Sequence, residues 1–152
     1  MKRFHFPLRP VAVLRANREE RAREQFSAAI HAYVLAEEEL ARTRTRMRAL
    51  EGELFEGRSK TCRAAEAAQL LADYRRECEA EIQTERRVLA ARDEMHRCRA
   101  AYIDAHRELE MIQRLEQKAR TTHRRETDRA EQAEFDDRAG RRVHVRTALL
   151  HT

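Results

Sequence analysis

Helix-breaking residues are nearly missing from this chain, with three Gly and two Pro in 152 residues, no Trp and only 5% aromatics. So few breakers leave little turn chemistry for a sheet or a loop-rich globule, and so few aromatics leave little bulk for a wide core. An ordinary enzyme core is therefore not expected. None of the Gly-bearing patterns G-x-x-x-x-G-K-[ST], G-x-G-x-x-G or G-x-S-x-G occurs, which argues against nucleotide binding and against an exposed serine nucleophile. Cys62, Cys78 and Cys98 are odd in number and contain no C-x-x-C pair, so neither a disulfide framework nor a thiolate zinc site is expected, and a reducing cytosol fits. No stretch approaches the roughly 20 apolar residues of a membrane span. The opening run from Met1 to Leu14 is interrupted by His5, Pro7, Arg9 and Pro10, so it forms no secretory core.

What is abundant is Ala, Arg and Glu. Arg supplies 29 of the 32 basic residues, Ala numbers 25, and 39% of the chain is charged. These are strong helix formers. The net charge of +5 is unevenly placed: residues 1–25 hold seven basic against three acidic side chains, and residues 138–152 hold four basic and none acidic. Both ends are basic and the middle is mildly acidic, which points to a directed contact at the ends.

The breakers that exist divide the chain simply. A helix is expected over about 10–56, a loop over about 57–62 at Gly57-Arg58-Ser59-Lys60-Thr61, and a second helix over about 63–139 that stops at Gly140. Residues 140–152 are expected to form a loose basic tail, and the whole chain a single coiled-coil domain. In the first helix Ala22, Phe26, Ala29, Tyr33, Ala36, Leu40, Thr43, Met47, Leu50 and Leu54 alternate at spacings of four and three, the heptad seam of a coiled coil. The second repeats it through Val88, Ala91, Met95, Cys98, Tyr102, Ala105, Leu109 and Ile112, and before Val88 the apolar residues Ala67, Leu70 or Leu71, Tyr74, Cys78 and Ile82 imply a stutter.

Both seams alternate large with small residues. Antiparallel pairing sets large against small in each layer, whereas parallel pairing stacks large on large. The fold expected is thus all-α, two long helices forming an antiparallel coiled-coil hairpin, with Phe26 near Cys98 and Leu54 near Leu70. The longer second helix overhangs from about Glu110, and the basic termini converge. A partner is expected to cover the leftover apolar residues Ile30, Val34, Leu35, Leu70, Leu71, Val88 and Leu89.

No cofactor or metal is expected. Asp93 with His96, or His106 with Glu110, would share a helix face as metal ligands do, but such pairs arise by chance in a chain this rich in Glu. Arg42, Arg44, Arg46 and Arg48 alternate around the helix and are neutralised by Glu37–Glu39, Glu51 and Glu53, so they read as a solvated face and not as a nucleic-acid stripe.

The ends of the chain carry a resemblance. Lys2-Arg3-Phe4-His5-Phe6-Pro7-Leu8-Arg9-Pro10-Val11-Ala12-Val13-Leu14-Arg15, continuing through Glu19, Glu20 and Ala22 to Ala36, Glu37 and Leu40, resembles the opening of the FliJ family of bacterial flagellar export proteins. The stretch from Arg124 to Arg129, followed by Glu134-Phe135-Asp136-Asp137-Arg138-Ala139-Gly140-Arg141-Arg142, is similar to that family's acidic-then-arginine ending, with Phe135 standing where an aliphatic residue is usual. The resemblance implies a non-enzymatic stalk of the flagellar type III export apparatus, cytoplasmic and peripheral to the inner membrane through its partners, serving motility. It implies three partners: the export ATPase hexamer, the cytoplasmic domain of the export gate, and export chaperones. The ring contact is expected at Phe4, Phe6, Leu8, Val11, Leu14, Arg15, Phe135 and Arg138, and the gate contact at Leu40, Met47, Phe55, Leu70, Leu71 and Tyr74. The competing expectations are the equivalent stalk of a virulence secretion system and a basic coiled-coil scaffold or nucleic-acid-binding protein.

Overall fold

The computed structural model describes residues 3–59 and 63–149. Two helices account for nearly all of them: α1 spans Arg9–Ser59 and α2 spans Ala64–Leu149. They pack against each other, and no strand occurs among the described residues. The all-α expectation is thereby met. At about 1.5 Å per residue α1 is about 77 Å long and α2 about 130 Å.

Helix α1 starts on a tight turn in which the Arg9 amide donates to the Phe6 carbonyl at 3.2 Å and the Ala12 amide to the Leu8 carbonyl at 3.0 Å. Pro10 sits in its first turn, where a missing N–H costs nothing. Helix α2 begins with Glu66 in its first turn, a carboxylate suited to the positive end of the helix dipole. The Glu66 and Ala67 amides both donate to the Arg63 carbonyl, at 3.0 and 3.1 Å.

Two expected breaks are not where the sequence put them. Helix α1 runs through Gly57 to Ser59, and Gly140 lies inside α2, which continues to Leu149. No glycine takes a positive φ, so Gly140 forms no left-handed cap. A lone helical Gly costs only about 1 kcal/mol against Ala, and the Arg and Ala around it are strong enough helix formers to carry the helix on. Residues 60–62 of the expected loop and 150–152 of the expected tail lie outside the described residues.

The chain divides into two compact units, one formed by the segment up to Asn17 with the segment from His106, the other by Arg18–Ala105. In the second, the hairpin unit, antiparallel pairing is evident from the partners: Phe26 stacks on Tyr102, Arg44 reaches Glu81 and Tyr74 reaches Glu51. The α1 seam is the one expected, with Ala22, Ala29 and Thr43 buried and Phe26, Tyr33, Ala36, Leu40, Met47, Leu50 and Leu54 half-buried. The expected stutter in α2 is absent. Counting back from Val88, the covered positions include Thr84, Glu81, Glu77, Tyr74 and Leu70, an unbroken spacing of four and three; Ala80, Cys78 and Asp73 beside them are also half-buried, Cys78 as expected, while Ile82 is 51% exposed. The seam keeps its period by accepting polar residues, which a search for apolar ones passes over.

Thr43 and Thr84 are buried, 1% and 5% exposed. Each hydroxyl donates back along its own helix, Thr43 to the Glu39 carbonyl at 3.1 Å and Thr84 to the Ala80 carbonyl at 3.0 Å. That local bond is what lets a hydroxyl occupy a core position without an unsatisfied polar group.

Large does not meet small in every layer. Phe26 packs against Tyr102, four residues beyond Cys98, with ring centroids 6.1 Å apart and planes 16° from parallel. Offset ring stacking stabilises such a pair by about 0.5–1.5 kcal/mol beyond burial, so two aromatics take a layer that the size argument reserved for unequal partners.

In the first unit, the terminal unit, Ile112 is 3% exposed and Glu116, Ala119, His123 and Thr127 are half-covered. Side chains from Asp128 to Arg141 are all exposed, so the uncovered part of α2 begins well after Glu110. The reason lies in residues 3–8, which form a non-helical strap before α1. Arg15 contacts Glu108 while Phe4 contacts His123, so 11 residues on one side match 15 on the other. An extended strap advances about 3.3 Å per residue against about 1.5 Å in a helix, and it covers the extra turn.

Candidate functional site

The terminal unit holds most of the residues expected to meet the ring, and it uses several of them internally. Phe6 is 7% exposed. The Phe4 ring meets His123 edge-on, centroids 5.5 Å apart at 70°, and the Arg120 guanidinium carbon lies 5.5 Å from its centroid. Arg120 is itself held by Glu116, with Nε at 3.2 Å and Nη2 at 2.6 Å from one carboxylate oxygen, so the cation over the ring is fixed. Arg15 donates to the Glu108 backbone carbonyl at 3.0 Å and joins the two helices. Phe6 is thus buried and Phe4 half-buried, so Phe6 has no open face to offer a ring: the strap lies within reach of α2, and burying aromatic area there outweighs leaving it in water.

Of the remaining ring residues, Val11 is half-buried. Leu8, Leu14 and Phe135 are open, at 41%, 51% and 62%, joined by Val13. Arg138 pairs with Glu134 one turn back, at 3.6 Å. Several basic side chains of this unit, Arg3, Arg9, Lys118, Arg124, Arg125 and Arg129, have no carboxylate partner among the described residues. The strap and α2 together border an open groove lined by Phe4, His5, Leu115, Lys118, Ala119, Thr122, His123 and Glu126.

The residues expected to meet the gate lie in the hairpin unit. Leu40, Met47, Leu70 and Tyr74 are half-buried seam residues, whereas Phe55 and Leu71 are exposed. Only the last two retain the open apolar surface that the expectation required. Among the residues expected to need covering, Ile30, Val34, Leu35, Leu71 and Leu89 are exposed, while Leu70 and Val88 are taken by the seam.

A ladder of charges across the hairpin unit was not legible as such. Arg44 binds Glu81 at 2.8 Å and Glu85 at 2.5 Å, Arg46 binds Glu77 at 3.1 Å, and Arg87 binds Glu39 at 3.2 Å. Arg42 pairs within α1, with Glu38. The neutralisation expected from neighbours in α1 comes for Arg44 and Arg46 from α2 instead. The neighbouring carboxylates hold the Arg44 guanidinium above its ordinary value, Glu81 foremost by its hydrogen bond. Exposed pairs of this kind stabilise by only about 0–1 kcal/mol each, so the ladder's larger effect is on register.

Tyr74 donates its phenol proton to Glu51 at 2.9 Å. That bond, then the neighbouring Cys78, pushes its pKa up to about 12. Because the folded value lies above the usual 10, the contribution to stability is complete below pH 10 and is lost as pH rises toward 12. Absorbance titration of the phenolates is expected to resolve a late-ionising component that Tyr74→Phe removes and Glu51→Gln moves down. A wild-type titration in a single step near the ordinary tyrosine value would contradict it.

Among the described residues no group of three or more His, Cys, Asp or Glu side chains is disposed to hold a metal ion, and no helix is long and apolar enough to cross a membrane. The family model described as Flagellar FliJ protein matches residues 4–148. The chain belongs to the FliJ family. It is accordingly a component of the flagellar protein export apparatus. No curated protein and no solved structure matches the chain. The FliJ match takes in the strap from Phe4, all of α1 and α2 up to its next-to-last residue.

Proposed function

We propose that this FliJ-family chain is the stalk of the export ATPase: the terminal unit enters the ATPase ring, and the hairpin unit meets the export gate and the export chaperones, at the cytoplasmic side of the inner membrane. The stalk itself carries out no reaction. The observation that carries this reading is the packing of the N-terminal segment onto α2 between Glu108 and His123, in one unit that keeps Leu8, Val13 and Leu14 exposed beside unpaired basic side chains. An apolar surface of a few large residues supplies affinity, and the excess positive charge draws it toward an acidic lining.

Covering a Leu stabilises by about 1.5–3 kcal/mol. Leu14→Glu is therefore expected to raise the concentration needed for half-maximal stimulation of the ATPase by about tenfold or more, with the helical circular dichroism unchanged. Leu71→Glu, in the hairpin unit, is expected to leave that stimulation intact and to weaken binding to the gate's cytoplasmic domain. Full stimulation by the Leu14 variant would remove the ring assignment.

A further inference from the structure

One flank of α2 in the terminal unit has the form of an unfilled seam. Met111, Leu115, Lys118, Thr122, Arg125 and Arg129 follow one another at spacings of four, three, four, three and four. Each lies one position before a seam residue or the seam's continuation, as Met111 precedes Ile112 and Thr122 precedes His123. All six are exposed, Met111 at 60% and Leu115 at 48%. The flank is apolar at its start and cationic beyond. Lys118, Arg125 and Arg129 have no ion-pair partner among the described residues, although Arg114 and Arg120 on the same helix are paired with Glu110 at 2.7 Å and Glu116 at 2.6 Å. Leu115, Lys118 and Thr122 also form one wall of the groove whose other wall is Phe4 and His5 of the strap, and the small Ala119 lies between them.

We propose that this flank receives an acidic amphipathic helix from a protein partner, laid as a third strand against α2 and the strap. A spacing of four and three is what a neighbouring helix meets with its own knobs. A small residue at the groove floor lets that helix approach closely. The order of chemistry fixes the occupant: apolar residues to cover Met111 and Leu115, and carboxylates from about one to about four turns further on, opposite Lys118, Arg125 and Arg129. A nucleic-acid backbone fits less well, because Met111 and Leu115 offer a phosphate chain nothing, whereas Glu126 and Asp128 oppose either anionic occupant alike. An anionic membrane would call for apolar residues along the whole stripe. Met111, Leu115 and Thr122 lie outside the surface assigned above to the ring, whereas Lys118, Arg125 and Arg129 are among the unpaired cations credited there with drawing the terminal unit toward an acidic lining.

The test uses the full chain and synthetic peptides. A labelled four-heptad helical peptide, with Leu in its first half and Glu in its second at seam positions, is titrated by fluorescence anisotropy at two salt concentrations. A scrambled peptide of the same composition, a counterpart with Lys for Glu, duplex DNA and phosphatidylserine vesicles are run alongside. The acidic peptide is expected to bind at least tenfold more tightly than the scrambled one and to weaken as salt rises. Leu115→Glu is expected to cost about tenfold. The combined Lys118→Glu, Arg125→Glu and Arg129→Glu variant is expected to reject the acidic peptide and accept its Lys counterpart, a gain that an unfolded variant could not produce. Equal binding of the scrambled peptide overturns the proposal, as does indifference to both variants, or binding of DNA or vesicles in place of the acidic peptide. Failure here with ATPase stimulation intact leaves the stalk reading standing.

Discussion

Ile112→Ala is expected to destabilise the protein by about 2–5 kcal/mol, the cost of emptying a packed aliphatic site. Ile112 is 3% exposed, and the other buried apolar residues among those described are Phe6, Ala22 and Ala29. Two alanines contribute little buried area, so Ile112 carries a large share of what the hydrophobic effect gives this fold. The adjacent Met111 is 60% exposed, and Met111→Ala is expected to change stability by less than about 0.5 kcal/mol. Urea unfolding followed by helical circular dichroism separates the two. Equal midpoints for the neighbouring variants would show that the seam does not run through position 112.

Phe6→Ala is expected to release the strap while leaving the helices formed. Phe6 is buried, and the strap's other aromatic, Phe4, holds only an edge contact with His123 and the Arg120 cation. Losing about 1.5–3 kcal/mol of burial raises the population of the open strap by about tenfold to a hundredfold. The Arg9 amide, which donates to the Phe6 carbonyl at 3.2 Å, reports this directly. Its hydrogen exchange is expected to accelerate by that factor, with amides near Ile112 changed far less. Unaltered exchange at Arg9 would mean that something other than the Phe6 ring holds the strap.

Much of the hairpin could be read from residue order because a heptad is a local property. Ala22 to Leu54 in α1 and Val88 to Ile112 in α2 were correctly placed on the seam from spacing alone. The errors share one cause, which is that apolarity was taken as the sign of burial. Glu77, Glu81 and Thr84 keep the α2 period because Arg46, Arg44 and a backbone carbonyl satisfy them, and those partners are 31, 37 and four residues away. Ile82 was assigned to the seam for its side chain and faces out.

The candidate site was less legible. Phe4 and Phe6 entered through the resemblance at the chain's opening, but their destination on α2 depends on the extra reach of an extended strap. Arg15 looked like a surface charge, and its bond to a main-chain carbonyl 93 residues away has no signature in the sequence. Leu14 and Phe135, by contrast, fall outside the heptad and are exposed.

Composition and period by themselves determined that this chain forms long helices and which faces of them seek cover, since breakers, propensity and heptad spacing all act over a turn or two, while the residues at its two ends carried the resemblance to the FliJ family. Only the tertiary structure decided which side chains remain open. Exposure depends on what lies opposite, and the partner of Phe26, Arg44 or Phe4 is chosen by packing and ion pairing between segments remote in the chain.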